Sequence, residues 1–394
     1  MKIAINGAGI AGATLAYWLS KLGHEVLLIE KAAAVRTGGY ILNLWGLGYD
    51  VAERMGLLPH LMGQKHHVDE LRMVDQKGRT CGGYPAQVLM RLTNNRLMAL
   101  ARSDIAASIY ALLDDRVETI FDDSIAAIDD DGQRVRIRFE HAAPREVDLL
   151  VGADGLHSRV RELAFGPESK FEYPLGCQVA AFEVESYRPR DQLVSVMHGV
   201  PGRYVSRFPI RDDKTLFFLA FRDEYLAGAS PSNEAERKLA LTTAFADLDW
   251  ECPQIISALP DVRNLYFDKI SQIRMHSWTQ GRTTLVGDAA ACPSLIAGEG
   301  AGLAMAEAYV LAGEIHDGRG DCTAALSRYE NRMKAFVLGK QKRATSLVSS
   351  FVPQSRFGVA ARNFGTSLMK LPVFPEILMG RYLHDDIKLP DYAM

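Results

Sequence analysis

The 394-residue chain is poor in cysteine. Its five cysteines, Cys81, Cys177, Cys252, Cys292 and Cys322, are scattered, odd in number and never spaced C-x-x-C. The sequence therefore predicts neither a disulfide framework nor a metal site, and isolated thiols fit a reducing cytoplasm. An excess of charge is missing too. With 45 Lys and Arg against 48 Asp and Glu, the net charge is −3, which leaves no basic footprint for nucleic acid. No apolar run reaches the length of a membrane span. The apolar start MKIAINGAGIAGATLAYWL is broken by Asn6 and three glycines and is followed by no small-residue cleavage site, so a signal peptide is not expected. A composition of 48% hydrophobic and 24% charged residues is that of a folded globular protein with room for two or three domains.

What the chain does have is glycine in meaningful places. Ile3 to Ile5 is a short apolar run followed at once by Gly7-x-Gly9-x-x-Gly12. A helical pattern from Ala13 to Leu22 stops at Gly23, and Val26 to Ile29 reads as a second buried strand ending in Glu30. Gly7 permits a tight turn, Gly9 lets the backbone approach a pyrophosphate, and Gly12 lets the helix sit close to the strand. Ile10 and Ala11, between the second and third glycines, are further candidate cofactor contacts, and the helix's free N–H groups and positive dipole end suit phosphates. Glu30, 18 residues beyond Gly12, is placed to accept hydrogen bonds from a ribose. Lys31, Arg36 and the Gly38-Gly39 pair follow as a second segment near the dinucleotide, with Tyr40 beside it as a candidate ligand-facing aromatic. The chain then runs into the helical and loop-like LGYDVAERMGLLPHL instead of another strand–helix–strand unit, which favours FAD over NAD.

Farther along, NNRLMALARSDIAASIYALL reads as one helix, with Leu97, Leu100, Ile105, Ile109 and Leu112 apolar and Arg102 inside it. In DLLVGADGLHSRVRELAF a strand from Leu149 to Val151 leads through Gly152, Asp154 and Gly155 into a helix; Asp154 there either holds the turn or reaches a ligand. Residues 166–270 alternate apolar and polar with turns between, the pattern of an antiparallel sheet, and the stretch around GRTCGGYPAQ adds strands. His66, His67, His198, Arg203, Tyr204, Arg207 and Phe217 are residues of this region that could face a ligand, and each is also a plausible surface or packing residue. Near the carboxyl side, LVGDAAACPSLIAGEG joins the strand TTLVG to a helix, with Asp288 the acid near its start. No nucleophilic triad is evident.

Taken in order, Gly7-x-Gly9-x-x-Gly12…Glu30, the Arg102 segment, VGADGLHSRVR and LVGDAAACPSLIAGEG resemble the class A flavin monooxygenases with the p-hydroxybenzoate hydroxylase-like fold. The resemblance implies an α/β protein with an α+β insert. A Rossmann-like FAD-binding domain (1–70, 97–165 and 271–330) would carry an inserted antiparallel-sheet substrate domain (71–96 and 166–270) and a C-terminal helical segment (331–394). It implies that the first glycines and Glu30 hold the ADP half of FAD and that Arg102 reaches its phosphate or ribityl region. Asp154 would belong to a motif associated with FAD and NAD(P)H. Gly287 and Asp288 would anchor the ribityl chain, and the loop of Pro293, Gly298, Gly300, Ala301 and Gly302 would lie beside the flavin ring. The implied reaction consumes NAD(P)H and O2 and hydroxylates an aromatic or polyketide-like substrate through a flavin hydroperoxide, with no catalytic side chain required. RTGGYILNLWGLGYDVAERMGLL, SWTQGRTTLVGDAAACPS and the long tail are similar to flavoenzymes that inactivate tetracyclines and to polyketide-tailoring hydroxylases.

This chain departs from the family in three places: Ala291 stands where His is common, Gly302 where Asn is common, and Glu307 where Asp is common. Two rivals follow from the same motifs. A halogenase is disfavoured because Trp18, Trp45, Trp250 and Trp278 are isolated and no W-x-W-x-I-P occurs; a non-redox cyclase or ligand-binding flavoprotein is left open by Ala291 and Gly302. The tail is expected to brace the domains or flank the substrate cavity, without membrane association, in a monomer or weak homodimer.

Overall fold

The computed structural model describes residues 1–35, 40–113, 115–188, 191–228 and 230–392. The glycine-punctuated start forms β1 (Lys2–Asn6), α1 (Ile10–Lys21) and β2 (Glu25–Glu30). Leu15, Leu19 and Ile29 of this unit are fully buried, and Gly23 adopts φ +81 to turn the chain out of α1. There follow β3 (Ile41–Trp45), α2 (Gly46–Arg54), α3 (Leu58–Gln64), β4 (Glu70–Val74), β5 (Thr80–Pro85), α4 (Gln87–Leu92), β6 (Leu97–Ala101), α5 (Arg102–Tyr110) and β7 (Val117–Phe121).

The single helix expected over residues 94–113 is here corrected: its first part is a strand. β6 pairs antiparallel with β3, from Ile41 opposite Ala101 to Trp45 opposite Leu97. Met98 and Leu100 point inward at strand spacing. Leu97, Leu100 and Ile105 fit a helical stripe on paper, but β3 supplies backbone partners and tertiary pairing overrides the local pattern. The break puts Arg102 at the first position of α5.

Next come β8 (Ile125–Asp130), β9 (Val135–Phe139), β10 (Arg145–Val147), β11 (Leu149–Gly152), α6 (Arg159–Phe165), β12 (Glu172–Glu185), β13 (Val194–Val200), β14 (Arg203–Pro209), β15 (Lys214–Arg222), α7 (Glu234–Phe245), α8 (Cys252–Ala258) and β16 (Tyr266–Ile273). The chain closes with β17 (Thr279–Gln280), β18 (Thr283–Leu285), α9 (Asp288–Ala291), α10 (Gly300–Asp317), α11 (Cys322–Phe351) and α12 (Arg356–Leu368).

Two large sheets organise these elements. The first has the order β17-β18-β11-β1-β2-β7 and is parallel except at β17. β1 lies between β2 and β11, so successive crossovers diverge there and leave a crevice at the carboxyl ends of the strands. α1, α2, α10 and α11 pack on one another beside this sheet, and the small antiparallel sheet β10-β9-β8 shares its core through Ile125, Val135 and Ile137.

The second sheet has the order β16-β12-β15-β14-β13-β4-β5 and is antiparallel except for the parallel pair β13–β4. Its two faces bury different cores. One carries Phe182, Val205, Phe217 and Phe221 against Leu241 and Phe245 of α7. The other carries Val179, Met197, Tyr204 and Ala220 toward Val348 of α11 and toward Leu295 and Ile296. Among the described residues no helix is long and apolar enough to cross a membrane, and no group of three or more His, Cys, Asp or Glu could hold a metal.

Candidate cofactor and substrate site

Three loops meet at the carboxyl edge of the parallel sheet, after β1, β11 and β18. In the first, Gly7 has φ +106, and a Cβ there would lie 2.6 Å from the Ala153 carbonyl oxygen. A Cβ on Gly12 would overlap the Gly7 carbonyl oxygen, whereas one on Gly9 would meet no atom of the described residues within 4 Å. The turn is thus tight on its inner side and open where a pyrophosphate would lie against Ile10 and Ala11. Glu30 fixes the turn from β2: its carboxylate accepts from the Ala8 N–H at 2.9 Å and the Ala32 N–H at 3.0 Å. Lys31 beside it is exposed. Arg36 and Gly39 lie outside the described residues.

The second loop resolves the choice left at Asp154. Its carboxylate accepts from Asn6 Nδ2 (2.8 Å), Ser158 Oγ (2.5 Å) and the N–H groups of Arg159 (2.7 Å) and Val160 (3.1 Å). Asp154 therefore caps α6 and ties it to β1, which is a turn-holding role. Fully buried Arg161 then links α6 to the third loop by donating to the Ala289 carbonyl at 3.1 Å.

In the third loop, buried Glu307 of α10 accepts from the Gly287 N–H at 2.7 Å and from Tyr329 Oη at 3.2 Å. Burial pushes its carboxyl up to about 7. Asp288 follows at the start of α9, with the amino end of α10 beside it: a Cβ on Gly300 would be 3.5 Å from Asp288 Oδ1. Burial raises the Asp288 carboxyl and the Arg102 charge opposes that shift. Among the described residues the Arg102 guanidinium makes no hydrogen bond or ion pair; its backbone N–H donates to the Tyr40 carbonyl at 3.1 Å. Solvent reaches Arg102 although Tyr40, Asp288, Tyr266 and Glu30 surround it, the condition of a side chain lining a deep cleft. The residues present fit an extended dinucleotide: an open glycine turn and Glu30 at one end, an uncommitted cation midway, and Asp288 at the other.

The loop after α9 is held unusually firmly. Gln272 Nε2 donates to the Pro293 carbonyl at 2.9 Å, and Gln341 Nε2 to the Cys292 carbonyl at 3.0 Å. Ser294, 2% exposed, takes φ +110 and ψ 141, and its buried Oγ has no partner among the described residues. Such a conformation costs about 1–3 kcal/mol and persists where surrounding contacts over-determine it. Gly298 also has positive φ, +67, and Ala301 is half-buried. Gly302 lies against Gly48: a Cβ on Gly48 would overlap the Gly302 Cα, so α2 and α10 approach too closely there for a side chain on Gly48.

The sheet-borne candidates separate by strand parity. Tyr204 lies on the face toward Leu295 and Ile296, its ring 4.2 Å from that of Phe351 and 6.5 Å from that of Phe218. Tyr266 joins this wall and meets Tyr40 at 5.4 Å between centroids; burial raises the Tyr40 phenol to about 12. Arg203, Arg207 and Phe217 occupy the opposite face, a correction to their placement as ligand-facing. Arg203 ion-pairs with Asp247, Arg207 with Asp191 (3.2 Å) and Glu251 (3.0 Å), and Phe217 is fully buried with Phe182. His198 faces Trp250 on that same side, while His67 is exposed with Asp69 and His66 bridges to Ala99. Residue parity along RYVSRFP could have sorted these in advance. Nothing in the sequence singled out Tyr266, Phe218 or Ser294.

Comparison with known proteins agrees with this geometry. The FAD binding domain family matches residues 113–337, and an NAD(P)-binding Rossmann-like domain matches residues 5–44. A flavin-dependent monooxygenase of Legionella longbeachae is 31% identical over 356 residues, covering 89% of this chain and 90% of that protein. An FAD-dependent monooxygenase of Sarocladium schorii is 28% identical over 428 residues, covering 100% and 98%. Among solved structures, the tetracycline destructase Tet(55) superposes with a TM-score of 0.84 at 29% identity, covering 99% of this chain and 98% of that one. With the glycine turn, Arg102 and Asp288 lining one cleft, the chain belongs to the FAD-dependent monooxygenases of class A.

Proposed function

We propose that this monooxygenase consumes NAD(P)H and O2 to hydroxylate an aromatic or polyketide-like substrate, of which tetracyclines are one type. The observation that carries the reading is the cleft from Gly9 past Arg102 to Asp288, ending where Leu295 and Ile296 face the wall of Tyr204, Phe218 and Tyr266. An apolar, aromatic wall suits a flat ring system and keeps water from a reactive oxygen donor. Bound FAD would supply the redox chemistry, accepting hydride from NAD(P)H and activating O2. The chain's own part is binding and orientation. The β1–α1 turn and Glu30 would hold the ADP half, Arg102 the phosphate or ribityl region, and Gly287 and Asp288 the ribityl chain. Gln272 and Gln341 fix the loop beside the ring, and Tyr40, just before β3, packs on Tyr266 of β16. Residues 1–70, 97–165 and 271–330 serve in this reading as the FAD-binding domain, and 71–96 with 166–270 as the substrate domain. Likeness to a tetracycline destructase supports the substrate class.

The test is oxidation of NADH or NADPH by the flavin-loaded protein with phenols, quinones and tetracyclines, and products weighed for one added oxygen atom. Substrate-stimulated oxidation with oxygenated product is expected. Failure of FAD to bind, or of NADH and NADPH to reduce it, overturns the proposal.

A further inference from the structure

Lys340 lies near the middle of α11 and is 2% exposed. An ammonium group is strongly hydrated and is seldom buried unless paired. Here its Nζ is 3.0 Å from Glu299 Oε1 and 2.8 Å from Asp385 Oδ1. The three residues come from three separate segments. Glu299 sits in the 293–302 loop at the N-cap of α10, Lys340 on α11, and Asp385 in the tail beyond α12.

Asp385 makes a second contact that gives the arrangement a direction. Its Oδ2 accepts from the Leu47 N–H, at the start of α2, at 2.8 Å. Gly46, with φ +55, lies against the same oxygen, where a Cβ would overlap it. Other bonds seat the tail independently. Arg343 pairs with Asp386 at 2.7 Å, Tyr309 Oη donates to the Pro390 carbonyl at 3.0 Å, and Tyr392 Oη donates to Glu314 at 2.7 Å. The tail is thus anchored on α10, α11 and α2. Lys340 carries that anchorage across to Glu299 in the loop.

We propose that Lys340 is a positioning residue for the 293–302 loop: through Glu299 and Asp385 it makes the seating of the C-terminal tail set the loop's conformation at the cofactor cleft. The inference rests on the reading of that loop as the wall beside the flavin. It gives the tail a task that bracing alone does not require. A buried charge bridge is often no better for stability than an apolar core of the same volume, so this one is better suited to fixing an arrangement than to adding stability.

The experiment uses the full-length, FAD-loaded enzyme and reads two quantities: the FAD dissociation constant and the visible circular dichroism of the bound flavin, which reports the ring's surroundings. Lys340→Met is expected to weaken FAD binding about tenfold and to alter the dichroism. Asp385→Asn, which leaves the Glu299–Lys340 pair in place, should shift both in the same direction by less, and Lys340→Arg should restore most of the signal. A merely structural role would lower the melting temperature and leave the dichroism of bound flavin unchanged; that result overturns the proposal. Should Lys340→Met not fold, Asp385→Asn decides, and a wild-type signal from it counts against the proposal. If the wild-type protein retains no FAD, the site reading falls, and this inference with it.

Discussion

Gly12 packs directly on the Gly7 carbonyl, while Gly9, between them, meets none of the described residues. The two glycines therefore predict opposite phenotypes. Gly12→Ala forces α1 away from β1 and should destabilise the fold by about 1–3 kcal/mol, as overpacking does. Gly9→Ala should leave the melting temperature of the flavin-free protein unchanged and abolish FAD retention, because the added methyl group occupies the space the pyrophosphate needs. Thermal melts and FAD titration of both variants check this. Normal FAD binding by Gly9→Ala would show that the phosphates lie elsewhere.

Arg102 has no hydrogen-bond or ion-pair partner for its guanidinium among the described residues, so its removal costs the apoprotein little. Arg102→Met should weaken FAD binding about 10- to 100-fold, the worth of a hydrogen bond to a charged group. Asp288→Ala should also reduce FAD retention. Fluorescence titration measures both, and full retention by either variant sinks that residue's assignment.

Glu307 supplies a pH signature. Its buried carboxyl is raised to about 7 from an ordinary 4.5, so between those values the folded protein holds a proton that the unfolded chain has lost. The stabilisation is fully present below about 4.5 and is lost as pH climbs toward 7, by about 3 kcal/mol in total. Glu307→Gln keeps a side chain that can accept from the Gly287 N–H and does not titrate. Its stability should fall less than that of the wild type between pH 5 and 7; parallel curves in denaturant titrations would refute the assignment.

His157 should act over a different range. It bridges Glu168 Oε1 at 3.0 Å and Asp268 Oδ2 at 3.2 Å, joining the α6 segment to β16 of the second sheet. Hydrogen bonds to Asp268 and Glu168 raise its imidazole from 6.5 to about 10. What it adds is fully present below 6.5 and disappears as pH rises through 10. The side chain is 54% exposed and solvent screens it, so the contribution is about 1 kcal/mol or less. Wild type should melt above His157→Gln near neutral pH, and the gap should close above pH 10.

Much of the first sheet and of the three loops at its carboxyl edge could be read from residue order, because each loop carries its own chemistry: glycines where the chain crowds itself, an acid at a strand end, small residues at a strand-to-helix crossing. What escaped was what only partners decide. Leu97 and Leu100 fit a helix as well as a strand until β3 lies alongside. Asp154 was open between turn and ligand, and four donors within the chain take its carboxylate. Arg203 and Arg207 were open between ligand and packing until Asp247, Asp191 and Glu251 came from distant segments to pair with them. The family departure at Gly302 also gains a physical setting, since it faces Gly48, itself unable to carry a side chain. Of the pair, Gly48→Ala is the change the fold should resist.

The parallel pairing of β4 with β13 has a consequence for synthesis. The hairpin β4–β5 leaves the ribosome with Leu71 and Met73 on a strand whose other edge is completed only when Val194–Val200 emerges. At 5–20 residues per second that interval is roughly ten seconds, during which the nascent chain displays an unpaired, partly apolar β-edge. Pairing of β4 with β13 therefore waits until about half of the chain has been made, and over that stretch of translation its open edge is available to other chains.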